Sequence, residues 1–180
     1  MFEKAVGEAV KKFLEFCKKP ASQDILHSCV YGLGVISRRI SQQHFKEIKG
    51  EVLQIISGIV TAPDAQSEKK AELTDNAYSA LGKIALYQSE KNDKISEEIM
   101  LKFLQFLPLK NDFEEAQTIH RILLEETLKK NEFLVGGSQE IQNALVQAVT
   151  NIQKTMTENP ESEVLDDEGK NLIVQVLNNA

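Results

Sequence analysis

At 180 residues and 20.2 kDa the chain is long enough to bury a core and short enough to form one domain. Its 42% apolar and 27% charged residues exclude wholesale disorder, collagen and a coiled-coil rod, and no apolar run approaches the ~20 residues of a bilayer span. The net charge of −6 is uneven, with residues 1–60 at +3, 61–120 at −4 and 121–180 at −5; this excludes a dedicated nucleic-acid binder, which needs a basic stripe.

Read from the start, every segment carries helical periodicity. Residues 2–18 place Phe2, Val6, Val10, Phe13 and Cys17 on one face. This opening stretch is charged throughout and lacks the uninterrupted apolar core of a signal peptide. Residues 22–40 give Ile25, Cys29, Leu33, Ile36 and Ile40, and 45–60 give Phe45, Ile48, Val52, Ile55 and Ile59. Residues 71–88 give Leu73, Ala77, Ala80, Ile84 and Tyr87; residues 94–107 give Ile95, Ile99, Phe103 and Phe106. Residues 112–130 follow with Phe113, Ala116, Ile119, Leu123 and the weaker Thr127. Residues 139–157 give Ile141, Leu145, Ala148, Ile152 and Met156, and a short last helix over 163–177 carries Leu165, Leu172, Ile173, Val176 and Leu177. The period-2 alternation of strands is absent. Start signals agree: Ser22 after Pro20, Asn111 three residues before Glu114 as in a capping box, and Ser138 after Gly136 and Gly137, which are expected to end the preceding helix.

Pro20, Pro63, Pro108 and Pro160 are spaced by 43, 45 and 52 residues, each interval holding two helices and a turn. The segment CVYGLGVIS (29–37) aligns with AYSALGKIA (77–85), pairing Val30 with Tyr78, Leu33 with Leu81, Gly34 with Gly82 and Ile36 with Ile84. A helical glycine costs about 1 kcal/mol relative to alanine. Two at equivalent positions point to close approach of a neighbouring helix, against coincidence among nine glycines. The expected fold is all-α, an α-α superhelix of antiparallel hairpins of the HEAT/ARM solenoid type. Its divisions are a leading helix of a truncated repeat (1–20), repeats at 21–63, 64–108 and 109–160, and a capping helix (161–180).

Two stretches go further than periodicity. TDNAYSALGKIALYQ (74–88) and FLQFLPLKNDFEEAQTIHRILLEE (103–126) resemble the C-terminal HEAT repeats of the importin-β (karyopherin-β) nuclear transport receptors, closest to the importin β-3 branch. There a DNA-x-SALGKI helix precedes a second helix ending in LPLK-x-D, then EA and a further helix. The matching residues are Asp75-Asn76-Ala77, Ser79 to Ile84, Leu107 to Lys110, Asp112, and Glu115-Ala116. Family members often carry a tryptophan before the LP; here Phe103 or Phe106 fills that space.

The resemblance implies a piece of a much longer solenoid. Residues 2–18 then read as the surviving half of a cut hairpin, and NLIVQVLNNA as a terminus. It implies non-catalytic binding of protein cargo, Phe-Gly nucleoporins and the Ran GTPase, Ran mainly through repeats absent here, in cytoplasm, nucleus and nuclear pore. In such a solenoid second helices line the concave face, so Asp93, Glu97, Glu98, Lys102 and Gln105 become the candidate protein-contact residues, their carboxylates suited to a basic cargo. A solvated helix face is the plainer reading of each. A HEAT scaffold of phosphatase-regulatory or chromosome-organising type is the alternative.

Chemistry-bearing groups are sparse. His27, His44 and His120 lie far apart and off metal spacing, and read as solvated or hydrogen-bonded surface residues. Cys17 and Cys29 fall on apolar faces as small core residues, two thiols being too few for a disulfide framework or zinc site. They suggest a reducing compartment. No phosphate-loop, dinucleotide or nucleophile-elbow motif occurs, and Gly32 and Gly34 sit within a helical stripe. The runs Asn92-Asp93-Lys94 and Asp112, Glu114, Glu115 read as helix N-terminal carboxylates, lacking the order of a calcium loop. No enzyme, cofactor, catalytic residue, metal site, nucleic-acid contact or membrane contact is expected.

Overall fold

The computed structural model describes residues 2–90 and 93–179, with side chains from residue 6 onward. The Phe2 side chain of the first stripe and the Asn92 of the carboxylate run lie outside what the structure describes. The described residues form α-helices and turns, with no strand. In order they are α1 (Phe2–Lys18), α2 (Gln23–Ser37), α3 (Gln42–Val60), α4 (Ala71–Tyr87), α5 (Lys94–Phe106), α6 (Phe113–Leu128), α7 (Gln139–Glu158) and α8 (Asp167–Asn179). All four prolines fall between helices, as their missing N–H and fixed φ require.

Side-chain caps set the starts of α2, α3, α5, α6 and α7, while α4 begins at Lys70 without one. Ser22, Ser41 and Ser138 accept hydrogen bonds from the amides of Ile25, His44 and Ile141. The cap of α6 is not Asn111 but Asp112, whose carboxylate accepts the Glu115 amide at 3.0 Å. A carboxylate also complements the positive helix end, which a neutral amide does less well.

The end of α6 also departs from expectation. Gly136 and Gly137 do not stop it. The helix stops at Leu128, and Lys130 takes the left-handed conformation with φ 55°. Asn131 N–H then reaches Glu126 O at 3.0 Å and Lys130 N–H reaches Thr127 O at 3.0 Å, closing a Schellman turn without glycine. Gly137 acts later. A Cβ there would stand 2.5 Å from the Phe133 carbonyl oxygen, so only glycine fits the turn into α7.

The chain divides into two compact units, residues 1–88 and 89–180. In the first, α2 packs on α1 and α4, α3 packs on α4, and α1 touches α3. Gly34 permits the α2–α4 contact: a Cβ on it would lie 3.1 Å from Cα of Ala80, a backbone atom with little room to yield. Gly32 does the same toward α1, where a Cβ would lie 2.7 Å from the Phe13 ring. Because α2 is gripped on two sides, its buried face is broader than one stripe. Cys29, Val30, Leu33, Gly34 and Ser37 are buried, while Ile25 in the first turn is exposed.

Helix α4 is buried almost all round, including Thr74, Asp75, Asn76, Ser79 and Lys83. Such groups survive burial only with partners. Thr74 Oγ1 donates to the Ala65 carbonyl at 2.7 Å, and the Lys83 ammonium sits 5.3 Å from the centre of the Tyr31 ring. Gln88 Nε2 donates to the carbonyls of Ser37 and Ile40 at 2.6 and 3.1 Å, satisfying the end of α2.

In the second unit α5 packs on α7 and α6 on α8. The core stripe of α5 is Ser96, Ile99, Met100, Phe103 and Leu104, so Ile95 is displaced to solvent. Phe113, at the first position of α6, is likewise exposed. His120 is not a surface residue: it is fully buried and hydrogen-bonded at both ring nitrogens. Arg121 Nη1 reaches Asp166 and Glu168 at 3.1 Å each, tying α6 to the start of α8.

Candidate functional site

Asp93 caps α5. Its carboxylate accepts the Ile95 amide at 3.1 Å and the Ser96 hydroxyl at 2.8 Å, so its first use is to start the helix. Four residues of α5 remain from the predicted contact set. Glu97 is half-buried. Glu98 and Lys102 pair at 2.8 Å across one turn, both well exposed, and the ammonium's hydrogen bond and charge hold the Glu98 carboxyl below its usual range. Gln105 is exposed and faces a groove between α5 and α7.

That groove has a volume of about 450 Å³. Leu101 and Leu104 of α5 and Ala144 of α7 supply its apolar part. Gln105 faces it from α5, and Glu140, Asn143, Gln147 and Asn151 from α7. The apolar stripe of α7 (Ile141, Leu145, Ala148, Ile152) is buried, and a 3.6-residue period then turns positions 143, 147 and 151 to another face. Gln139 Nε2 donates to Asn143 Oδ1 at 3.0 Å, and Gln147 Nε2 to Asn151 Oδ1 at 2.8 Å, forming a line of amides along the helix. Asp93, Glu97, Glu98 and Lys102 do not line the groove. The i, i+4 spacing of Asn143, Gln147 and Asn151 is visible in the sequence, but that they share a groove with Gln105 is not.

A second groove of about 600 Å³ lies between α7 and the ends of α6 and α8. It is lined by Leu145, Val146, Val149, Val176 and Leu177, with Lys130 at its edge. A third, about 320 Å³, opens beside Cys17 between α1, α2 and α3.

The histidines and cysteines are not gathered. His44 Nδ1 lies 2.7 Å from the Ser41 hydroxyl at the start of α3. Cys17 and Cys29 are both buried and lie against one another; burial, then the charge of a Cys29 thiolate and the hydrogen bond to Cys29, push Cys17 up to about 12. Among the described residues no cluster of three His, Cys, Asp or Glu could hold a metal, and no helix is long and apolar enough to cross a membrane. No family model matches the chain, and no solved structure matches it.

Proposed function

We propose that the chain is part of an importin-β family nuclear import receptor, its C-terminal HEAT repeats, acting by non-catalytic binding of protein cargo, Phe-Gly nucleoporins and Ran. The observation that carries this reading is the ordered series at 74–126: SALGKI, then LPLK-x-D, then EA at matching spacings. The local structure supports it. The SALGKI segment lies in α4, the LP dipeptide ends α5, and the EA pair falls in the first turn of α6 behind the Asp112 cap. Beside the sequence-adjacent contacts of α1 with α2 and α3 with α4, helices two apart in sequence pack together within each unit, α2 on α4, α5 on α7, α6 on α8 and, lightly, α1 on α3. That is the pairing a stack of helical hairpins makes, and it supports the α-α superhelix as the finer description of the all-α fold.

In this reading α3, α5 and α7 are second helices of successive hairpins and α5 lies on a concave, cargo-facing side. Cytoplasm, nucleus and pore are its places of work. The test is retention on immobilised Phe-Gly repeats against Ser-Gly repeats of equal length. Selective retention is expected. Equal retention on both overturns the import reading in favour of a generic HEAT scaffold.

A further inference from the structure

We propose that Ser41, between α2 and α3, is a phosphorylation site for a serine kinase that reads arginines two and three residues ahead of its target. The phosphate then serves as a charged cap for α3. Sequence, exposure and the surroundings of the product carry this independently of the transport reading.

The chain has three arginines, and two of them stand side by side in the run Arg38-Arg39-Ile40-Ser41. No other serine or threonine in the chain has an arginine at both positions. A guanidinium is a planar fork that pairs with a carboxylate through two hydrogen bonds. Two forks at a fixed distance from a hydroxyl therefore set the register of a chain in a cleft lined with carboxylates, and kinases choose substrates by such charge patterns. Lys18 and Lys19, four and three residues before Ser22, offer charge without the fork.

Arg38, Arg39 and Ser41 are all exposed, on the segment that follows the last residue of α2. Ser41 already has the extended backbone that a kinase cleft requires, with φ −66° and ψ 148°. Only residues 38–40 must uncoil. The amides of Arg39 and Ile40 donate to the Ile36 carbonyl at 2.8 and 3.0 Å, and Gln88 Nε2 donates to the Ile40 carbonyl at 3.1 Å. An exposed turn held by so few bonds opens far more often than a core helix. The Arg38 guanidinium lies 5.1 Å from the centre of the Tyr87 ring, a contact weaker than the carboxylate pair that replaces it.

In the transfer the Ser41 hydroxyl gives its proton to the kinase's carboxylate base and its oxygen attacks the γ-phosphorus of ATP. The bond from that phosphorus to the bridging oxygen breaks, and ADP leaves. The product suits its place. Ser41 Oγ caps α3 loosely, with the His44 amide 3.5 Å away and His44 Nδ1 at 2.7 Å. The first turn of α3 carries no carboxylate, so a phosphate meets the positive helix end without a like charge beside it. Its oxygens reach further than the hydroxyl and can accept from the amide and the imidazole together.

The test incubates the 180-residue chain with ATP and the catalytic subunit of the cyclic-AMP-dependent protein kinase, an arginine-reading serine kinase. Peptide mass spectrometry then locates the phosphate. One phosphate, on Ser41, is expected, with Ser22 unmodified. The R38K/R39K pair keeps the charge and should lower the initial rate about tenfold or more. Gln88→Ala should raise it about fivefold by releasing the turn. The phosphorylated chain should melt about 1–3 °C higher than the unmodified one. A synthetic peptide of residues 36–47 gives the rate of the fully opened segment and needs no folded variant. Phosphorylation of the peptide but not of the folded chain overturns the site. An unchanged rate in R38K/R39K overturns the arginine reading, an unchanged rate in Gln88→Ala overturns the opening step, and an unchanged or lower melting temperature overturns the capping role.

Discussion

The backbone amide of Leu109 donates to Nε2 of His120 at 3.1 Å. The proton therefore sits on Nδ1, which donates to the Val164 carbonyl at 2.7 Å. A neutral imidazole thus joins the loop before α6 to the segment before α8.

Burial pushes the pKa of His120 down to about 4, opposed only by its bond to Val164. Unfolded, the ring titrates near 6.5. The unfolded state therefore binds the proton first as pH falls. The stability that the neutral ring supplies is fully present above about pH 6.5, declines from there toward pH 4, and levels off below, for a total of about 3 kcal/mol. Urea unfolding between pH 7.5 and 4 should show this slope. His120→Phe should lose about 2–4 kcal/mol at pH 7.5 by stranding the Leu109 N–H and Val164 C=O. It should also flatten the slope. An unchanged slope in the variant would assign the pH dependence to other groups.

Helical glycines should split by what faces them. Gly50 and Gly58 of α3 have nothing within 4 Å of where a Cβ would stand. Alanine at either should raise stability by about 0.5–1 kcal/mol through helix propensity alone. Gly34 faces the backbone of Ala80 at 3.1 Å, so Gly34→Val should cost about 1–3 kcal/mol by forcing α2 from α4. Thermal unfolding of the three variants checks the ordering, and a stabilising Gly34→Val would refute the close approach.

This contrast also shows what the sequence can carry. Gly34, one half of the Gly34–Gly82 correspondence, does mark a close helix approach, at the Ala80 backbone, but a helical glycine alone does not report one, since Gly50 and Gly58 face nothing. All eight helical stripes were likewise visible, since burial of one face imposes its own period. Ile25, Ile95, Phe113 and Leu177 were misplaced on those stripes: the first three lie in a first turn and Leu177 in a last turn, where periodicity continues but burial does not. Asn111 and Asp112 both fit an N-cap, and only the backbone decides between them. The buried Lys83 and Asp75 of α4 could not be told from solvent-facing residues, because burial of a polar face depends on how many neighbours a helix has. Gln105 was singled out on α5 as a contact residue; that it lines one groove with Glu140 and the α7 amides follows from the α5–α7 contact, a tertiary fact.

Asp166 performs two tasks at the start of α8. Oδ1 accepts the Gly169 amide at 2.8 Å and Oδ2 meets Arg121 at 3.1 Å. Asp166→Ala should cost about 1–2 kcal/mol, most of it the lost cap. Arg121→Ala should cost less, at most about 1 kcal/mol, because the pair is one third exposed and screened. Adding salt should narrow the loss for Arg121→Ala and leave that for Asp166→Ala nearly intact. Equal losses with equal salt response would mean that the ion pair, not the cap, holds the α8 start.

Cys17 and Cys29 should behave as protected core thiols. Phe13 of α1 faces Gly32 of α2, and one turn further along each helix in opposite directions brings Cys17 toward Cys29. Burial raises both thiols, Cys17 to about 12, with the neighbouring thiol adding to the effect at Cys17. The reactive species is the thiolate, so at pH 8 a thiol at about 12 presents roughly a thousandfold less of it than one at the ordinary 9.0. Reaction with an aromatic disulfide reagent should be at least a hundredfold slower in the native chain than in urea. Cys29→Ala removes the neighbour's contribution while leaving the burial, so Cys17 should label somewhat faster yet still far slower than the unfolded chain. Native labelling at the unfolded rate would show that the groove beside Cys17 admits reagent and water to the sulfur, and that the pair is not part of a closed α1–α2 core.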